Sequence, residues 1–457
     1  MTEEEGRALH AENTRLRDEN AMLKQLVAEL QEQIEGLSRQ VAELEKRQKT
    51  PSFVKGNRPK KEGPAKERKK RAARHNQARR REEPTRIETH AVEACTACGY
   101  HLSGESEAYR RQVIELPEPQ PVEVIEHRLV KRWCPVCQAW QQPEMNWKER
   151  VVGQGRIGVR LGALIAYLHQ SLRAPVRAIQ AYLATIHQVR LSVGEISGLL
   201  QRLYQQVRPA IEALKHSVQQ ESVIHGDETG WREAGQNGYI WCLATGGEQP
   251  IRYYEYDRSR AGAVVTRLLG EAFHGHLVSD FYGGYNVYSG PHQRCWVHLM
   301  RDLKHLQEEH QADGEVAAWV LAVRYQYQDA QQAQEMAEPA ERQHLYTALW
   351  RRTELLGLQY AQVKNHPCQA LAKRLLRHLD ELYQFVLHPA VPADNNLAER
   401  ALRPVVVQRK ISGGTRSRAG SETRLGLASL FGTWQARNLN PFHEFLAVMV
   451  QPMSASP

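Results

Sequence analysis

Leucine recurs every seven residues at Leu9, Leu16, Leu23, Leu30, Leu37 and Leu44. Val27, Ile34 and Val41 stand three residues ahead of the later leucines, with Asn13 and Asn20 at the same phase. This is a heptad with Leu at d and β-branched residues at a, the pattern of a parallel two-stranded coiled coil whose register the asparagines fix. So narrow a seam, held over six heptads, does not suit a helix packed on its own domain. Residues 1–50 therefore predict a leucine zipper that joins two copies of the chain.

Pro51, Pro59, Pro64 and Pro84 then interrupt a polar stretch, so 51–90 reads as a linker with a short basic helix over 65–82. Within 91–150, alternation predicts strands at 112–115 and 122–130. Over 151–220 the apolar period lengthens to that of helices, at 158–172, 176–186 and 192–207, and Ser192 with Glu195 has capping-box spacing. Two readings fit this segment: a helix-turn-helix with 192–197 in a major groove, or a helical spacer. From 221 the period shortens again, with strands at 222–225, 239–245, 251–256, 276–279 and 294–297 and a helix at 261–270. The order β-β-β-α-β-α-β is that of an RNase H-like sheet over 221–298; 299–388 then reads as a long, polar, mostly helical stretch, and 394–450 as helices again. The fold class expected is thus multidomain α/β: coiled coil, small zinc ribbon, helical segment and RNase H-like core.

Charge changes the picture in one place. Between Lys55 and Arg86 stand 14 Lys or Arg against 4 acids, a local +10 beside +9 for the whole chain. The excess sits in the linker, where Lys69, Lys70, Arg71, Arg79, Arg80 and Arg81 can release counterions from a polyanion, so double-stranded DNA is the natural partner. A solvated tether and a DNA-gripping arm are compatible. The acidic start lacks a secretory signal, and no uncharged apolar run approaches the roughly 18 residues of a membrane span, so a cytoplasmic protein is expected.

Four of the seven cysteines form two CxxC pairs, Cys95 with Cys98 and Cys134 with Cys137. Paired knuckles of this spacing suit tetrahedral thiolate coordination of one structural Zn²⁺. Asp227 and Asp280 each close a buried-looking run, Val223-Ile224-His225-Gly226-Asp227 and His276-Leu277-Val278-Ser279-Asp280. Alone, either reads equally well as a strand terminator; together they read as a carboxylate pair for hard divalent cations. Of the downstream acids Asp380, Glu381, Asp394, Glu399 and Glu422, Glu399 is placed by Asp394 as a helix N-cap, on that helix's second turn.

Three blocks carry a resemblance: His225-Gly226-Asp227-Glu228-Thr229-Gly230-Trp231, Ser279-Asp280-Phe281-Tyr282-Gly283-Gly284-Tyr285, and Asp394-Asn395-Asn396 followed by Glu399-Arg400. With Arg403-Pro404 and Arg409-Lys410 beyond them, they resemble the signature blocks of the insertion-sequence 66 family of transposases. The resemblance covers essentially the whole chain. It implies a DDE transposase that cleaves and joins the ends of its own element, with Asp227, Asp280 and Glu399 on two Mg²⁺ ions for which Mn²⁺ can substitute. It also implies a helical insertion at 299–390 that splits the RNase H-like core into 221–298 and 391–457, and small accessory proteins as partners. An inactivated or domesticated DNA-binding relative is the alternative. Cys295-Trp296-Val297-His298 is similar to a C-x-x-H of related enzymes and suggests packing near the site, while Arg400, Arg409 and Lys410 suggest phosphate contacts. The block Ile411-Ser412-Gly413-Gly414-Thr415-Arg416-Ser417 departs from the family's aromatic pattern.

Overall fold

The structure, a computed structural model, describes residues 82–450 except Pro117 and Gln120. The expected zipper over 1–50 and the basic residues Lys69, Lys70, Arg71, Arg79, Arg80 and Arg81 lie outside the described residues. Among the described residues no helix is long and apolar enough to cross a membrane. The chain divides between Glu115 and Leu116, within the segment expected as a zinc module.

In the first part, the Cys95–Cys98 turn is closed by an antiparallel bridge between Ala94 and His101. In the second, β1 (Arg132–Cys134) and β2 (Ala139–Gln141) form a hairpin around the other CxxC. The strands expected at 112–115 and 122–130 do not form. Val113, Ile114, Val124 and Ile125 are all exposed, and β-branched composition makes no strand without a partner edge and a covered face.

Helices α1 (Val159–Gln170), α2 (Val176–Ile186) and α3 (Val193–Gln219) follow. The capping box forms: Glu195 N donates to Ser192 Oγ at 3.1 Å and Ser192 N to Glu195 Oε2 at 2.7 Å. α3 continues well past 207, running through Pro209. Beyond the proline the apolar spacing persists, with Ile211 and Val218 buried, and that burial outweighs one lost backbone bond.

The central sheet has the order β5-β4-β3-β6-β7, comprising β3 (Val223–Glu233), β4 (Gln236–Ala244), β5 (Arg252–Asp257), β6 (His276–Ser279) and β7 (His292–Arg294). The first three strands are antiparallel, while β6 and β7 run parallel to β3. The helix α4 (Gly262–Leu269) crosses from β5 to β6. Two details depart from expectation. The second helix of the expected order is only a short 3₁₀ turn at Gly283–Val287. The last strand falls at 292–294 instead of 294–297, because Cys295 already caps the next helix. The strand hides in polar residues that are nonetheless buried and bonded, so no apolar alternation marks it.

The insertion comprises α5 (Trp296–Glu309), α6 (Gly314–Gln331), α7 (Pro339–Ala361), α8 (Gln369–Arg377) and α9 (Gln384–Leu387). It has its own core around Trp296, Trp319, Leu349 and Tyr383. The chain then returns through α10 (Asn396–Ser412), α11 (Arg418–Ala436) and α12 (Pro441–Val450). One sheet face packs with α1 to α4, α11 and α12, and the other with α10, through Trp231, Ile240, Tyr254, Leu402 and Val405. α11 also covers the outer edge of β5, where Arg252 N donates to Thr433 Oγ1 and Tyr254 N to Ser429 Oγ.

Candidate active site at the ends of the parallel strands

β3 and β6 set two acids side by side. Val223 pairs with His276 and His225 with Val278, so the same register carried forward puts Asp227 level with Asp280. Asp227 does not end its strand as expected: β3 runs on to Glu233, paired with β4 the whole way. What ends there is the parallel neighbour β6, at Ser279. The opening lies beyond the carboxyl end of a parallel strand, where open α/β sheets place ligands.

Asp227 Oδ1 accepts the N–H of Glu228 at 2.9 Å. Its carboxyl is pushed up to about 7, first by burial and then by the charges of Glu228, Asp280 and Glu399. Asp227 thus lies within electrostatic reach of both Asp280 and Glu399. Asp280 Oδ1 accepts from Tyr282 N at 2.9 Å, which folds the following loop back on the acid.

Glu399 comes from the first turn of α10, whose N-cap position is Asn395. The expectation of Asp394 as cap and Glu399 on the second turn is therefore one residue early. Asp394 Oδ1 instead accepts from Asn396 N at 3.0 Å, a local turn ahead of the helix. Asn395 is buried, and its Nδ2 donates to the Gly226 carbonyl at 2.7 Å. Its Oδ1 faces His225 Nδ1 at 3.2 Å, and its N–H meets Cys295 Sγ at 3.2 Å. One amide side chain therefore joins the strand before Asp227 to the helix that carries Glu399.

Cys295 and His298 frame the other side. Cys295 is buried, and burial pushes its thiol up to about 11. His298 Nε2 stands 3.7 Å from Glu399 Oε1. Both Glu399 Oε1 and His298 Nδ1 are buried without a hydrogen-bond partner among the described residues. A carboxylate oxygen left bare beside two aspartates suits a cation. The distances are wider than ligation, however: among the described residues no three His, Cys, Asp or Glu side chains converge on one ion position.

Sequence reasoning passed over Glu228 and Asn395. Glu228 is buried on the opposite face of β3, where it accepts from Arg260 Nε at 2.9 Å and Tyr285 Oη at 2.7 Å. Its only signal is its place beside Asp227. Asn395 was signalled by the Asp394-Asn395-Asn396 run, which reads as turn chemistry until the fold brings Gly226 to it.

Of the basic candidates, Arg400 and Lys410 are exposed, whereas Arg409 reaches back to Thr229 Oγ1 at 3.1 Å and to the Gly230 carbonyl. The unusual block after α10 serves as an anchor. Gly413 and Gly414 have φ of 70° and 118°, and a Cβ on Gly414 would meet the Arg232 carbonyl at 2.1 Å. Thr415 then pairs with the end of β3 and accepts from Trp231 Nε1 at 3.0 Å.

In the CxxC turns, Cys137 N donates to Cys134 Sγ at 3.4 Å. Backbone N–H groups lower the thiol pKa of both leading cysteines, first that of Ala97 for Cys95 and first that of Cys137 for Cys134. Each turn favours thiolate, the species zinc takes.

The fold is thus a mixed sheet with Asp227 within β3, Asp280 just past the end of β6 and Glu399 on a helix that returns to the sheet. The particular family is given by sequence: a profile of the Transposase IS66 family matches residues 154–423, and the chain belongs to that family. Two curated relatives from Sinorhizobium fredii are similar to it. An uncharacterized protein, y4jO, is 31% identical over 179 residues, covering 38% of this chain and 52% of its own length. Another, y4qI, is 28% identical over 229 residues, covering 44% and 41%. The chain thus spans about half the length of the curated relatives it matches, or less.

Proposed function

We propose that the protein is a DDE transposase that cleaves the ends of its own element and joins the freed 3′ ends to target DNA, with Asp227, Asp280 and Glu399 as the acids. The observation that carries this is the register of β3 and β6, which sets two aspartates level, together with a buried glutamate oxygen that has no hydrogen-bond partner among the described residues. The strand order β5-β4-β3-β6-β7, with only the last two strands parallel to β3, supports an RNase H-like core. Asp227, Asp280 and Glu399 would hold two Mg²⁺ ions, with Mn²⁺ able to substitute; such ions activate the attacking oxygen and stabilise the leaving one.

The chain's own residues do the rest. Asn395 fixes the start of α10 to β3, so Glu399 is presented to the aspartates, and His298 stands 3.7 Å from the glutamate. Arg400 and Lys410, exposed on α10, suit phosphate contacts along the DNA, as do Arg409 and the basic block of the linker. Cys95, Cys98, Cys134 and Cys137 would hold one structural Zn²⁺, and the zipper over 1–50 would pair two copies. The parts then follow the plan 1–50, 51–90, 91–150, 151–220 and a core interrupted at 299–390, with small accessory proteins completing the machinery.

The test is strand transfer on the element's own ends with Mg²⁺ and with Mn²⁺. Asp227→Ala should abolish transfer and leave end binding nearly intact. Loss of end binding in that variant would make Asp227 structural, and a wild-type chain that binds ends but never cuts them would be a DNA-binding relative without catalysis.

A further inference from the structure

Arg294, at the end of β7, is fully buried, and its guanidinium is the meeting point of sheet and insertion. Nη1 donates to the backbone carbonyl of Asp280 at 2.8 Å, and Nη2 donates to Asn286 Oδ1, further along the same loop, at 2.6 Å. Nε donates to Glu381 Oε2, and the backbone N–H of Arg294 donates to the Glu381 carbonyl at 2.7 Å. Glu381 belongs to the insertion, between α8 and α9, and also accepts from His378 Nδ1 at 2.9 Å. Against the cost of burial, that hydrogen bond and the Arg294 charge hold its carboxyl down to about 2. The neighbouring contacts run the same way. Ser279 Oγ meets His292 Nε2 at 2.8 Å, Phe385 N donates to Gln293 Oε1 at 3.0 Å, and Phe281 packs edge-on against His378. The outer edge of β7 is thereby closed by the insertion and not by another strand.

A planar fork that holds the carbonyl of one acid and the far side of its loop leaves that loop little freedom. We infer that Arg294 and Glu381 are positioning residues: through them the helical insertion fixes the backbone of Asp280 and so sets the cation affinity of the site. This rests on the reading of Asp280 as a metal ligand. It gives the insertion a task at the site in addition to bulk, since none of the three acids belongs to it.

The experiment measures Mn²⁺ binding to the full-length protein by the electron paramagnetic resonance signal of free Mn²⁺, alongside thermal melting and end binding. Arg294→Lys keeps the charge but cannot span Asp280, Asn286 and Glu381 together. Glu381→Gln keeps the shape and removes the charge. Asn286→Ala releases the loop by removing an exposed side chain, and thermal melting checks that the fold is kept. Groups that orient a metal ligand affect affinity by roughly ten- to a hundredfold, so Arg294→Lys and Glu381→Gln should weaken Mn²⁺ binding by about that factor with end binding kept. Asn286→Ala should weaken it severalfold. Asp280→Asn separates the two levels: if it binds Mn²⁺ like wild type, the metal-site reading fails. If Asp280→Asn loses Mn²⁺ while Asn286→Ala and every folded Arg294 or Glu381 variant keep it, the positioning role alone is overturned.

Discussion

The two aspartates and the glutamate reach the same site by different means. Asp227 and Asp280 are held by their own neighbourhood: each oxygen that bonds accepts an N–H one or two residues away, and sheet register sets their level. Glu399 is held at long range, by Asn395 against a carbonyl 169 residues earlier in the chain, and its own oxygen is bare. The aspartate pair is therefore a property of the sheet, while the glutamate is a property of the assembled fold. The first should survive local damage elsewhere and the second should not.

The widest separation is expected when the acids themselves are changed. Asp227→Asn and Glu399→Gln should each lower strand transfer by at least ~10³-fold, about 4 kcal/mol of transition-state stabilisation. Their stabilities should differ in metal-free protein. Burial, first of all, holds the Asp227 carboxyl at about 7 when folded against its ordinary 3.8 in an unfolded chain. Its ionisation therefore destabilises the fold progressively from about pH 4 and fully above about pH 7. Asp227→Asn should melt higher than wild type at pH 8, by up to ~4 kcal/mol, and equally at pH 4. Equal melting at pH 8 would erase the contrast.

Asn395→Ala attacks the long-range arm. It strips the Gly226 carbonyl and His225 of a buried partner, and two such losses cost ~2–4 kcal/mol in a urea titration. Strand transfer should fall with it while the β3–β6 pairing, followed by amide hydrogen exchange, stays protected.

The same arm should be acid-sensitive. Burial, the largest influence, holds His225 down to about 4 when folded, against its ordinary 6.5 in an unfolded chain. The unfolded chain therefore takes up a proton first, and stability falls as pH drops from about 6.5 to about 4, by up to ~3 kcal/mol. The opposing titration of Asp227 is absent from Asp227→Asn, so in that variant a urea midpoint that is flat from pH 7 to pH 5 would count against this. Smallest, His298→Ala should reduce strand transfer roughly tenfold and leave melting within a few degrees, because the ring backs Glu399 without a close bond. A loss as large as that of Glu399→Gln would make His298 a direct participant.

Much of this was legible in advance where the signal is local. The capping box at Ser192 and Glu195, the strand runs before Asp227 and Asp280, and the helical character of the stretch after 299 all follow from period and punctuation. What was misread is what long-range partners decide. β7 is built of His292, Gln293 and Arg294, polar residues that burial and bonds to 381–385 make into a strand. α3 passes through Pro209 because a core waits on the far side. The segments 112–115 and 122–130 have strand composition and nothing to pair with. At the site, the aspartates could be found from their runs, whereas Asn395 could not, since nothing near it in the chain says that Gly226 is its partner.

The long reach of Asn395 also orders events during synthesis. A growing chain carries β3 and β6, and with them both aspartates, more than a hundred residues before α10 leaves the ribosome. Until then the Gly226 carbonyl has no amide from Asn395, β7 lacks its cover from 381–385, and no glutamate stands beside the pair. A partial chain, whether stalled or cleaved, thus holds two of the three acids and an unfinished sheet. For a protein proposed to cut DNA, that order is itself a safeguard: the third acid joins the pair only after α10 has been made.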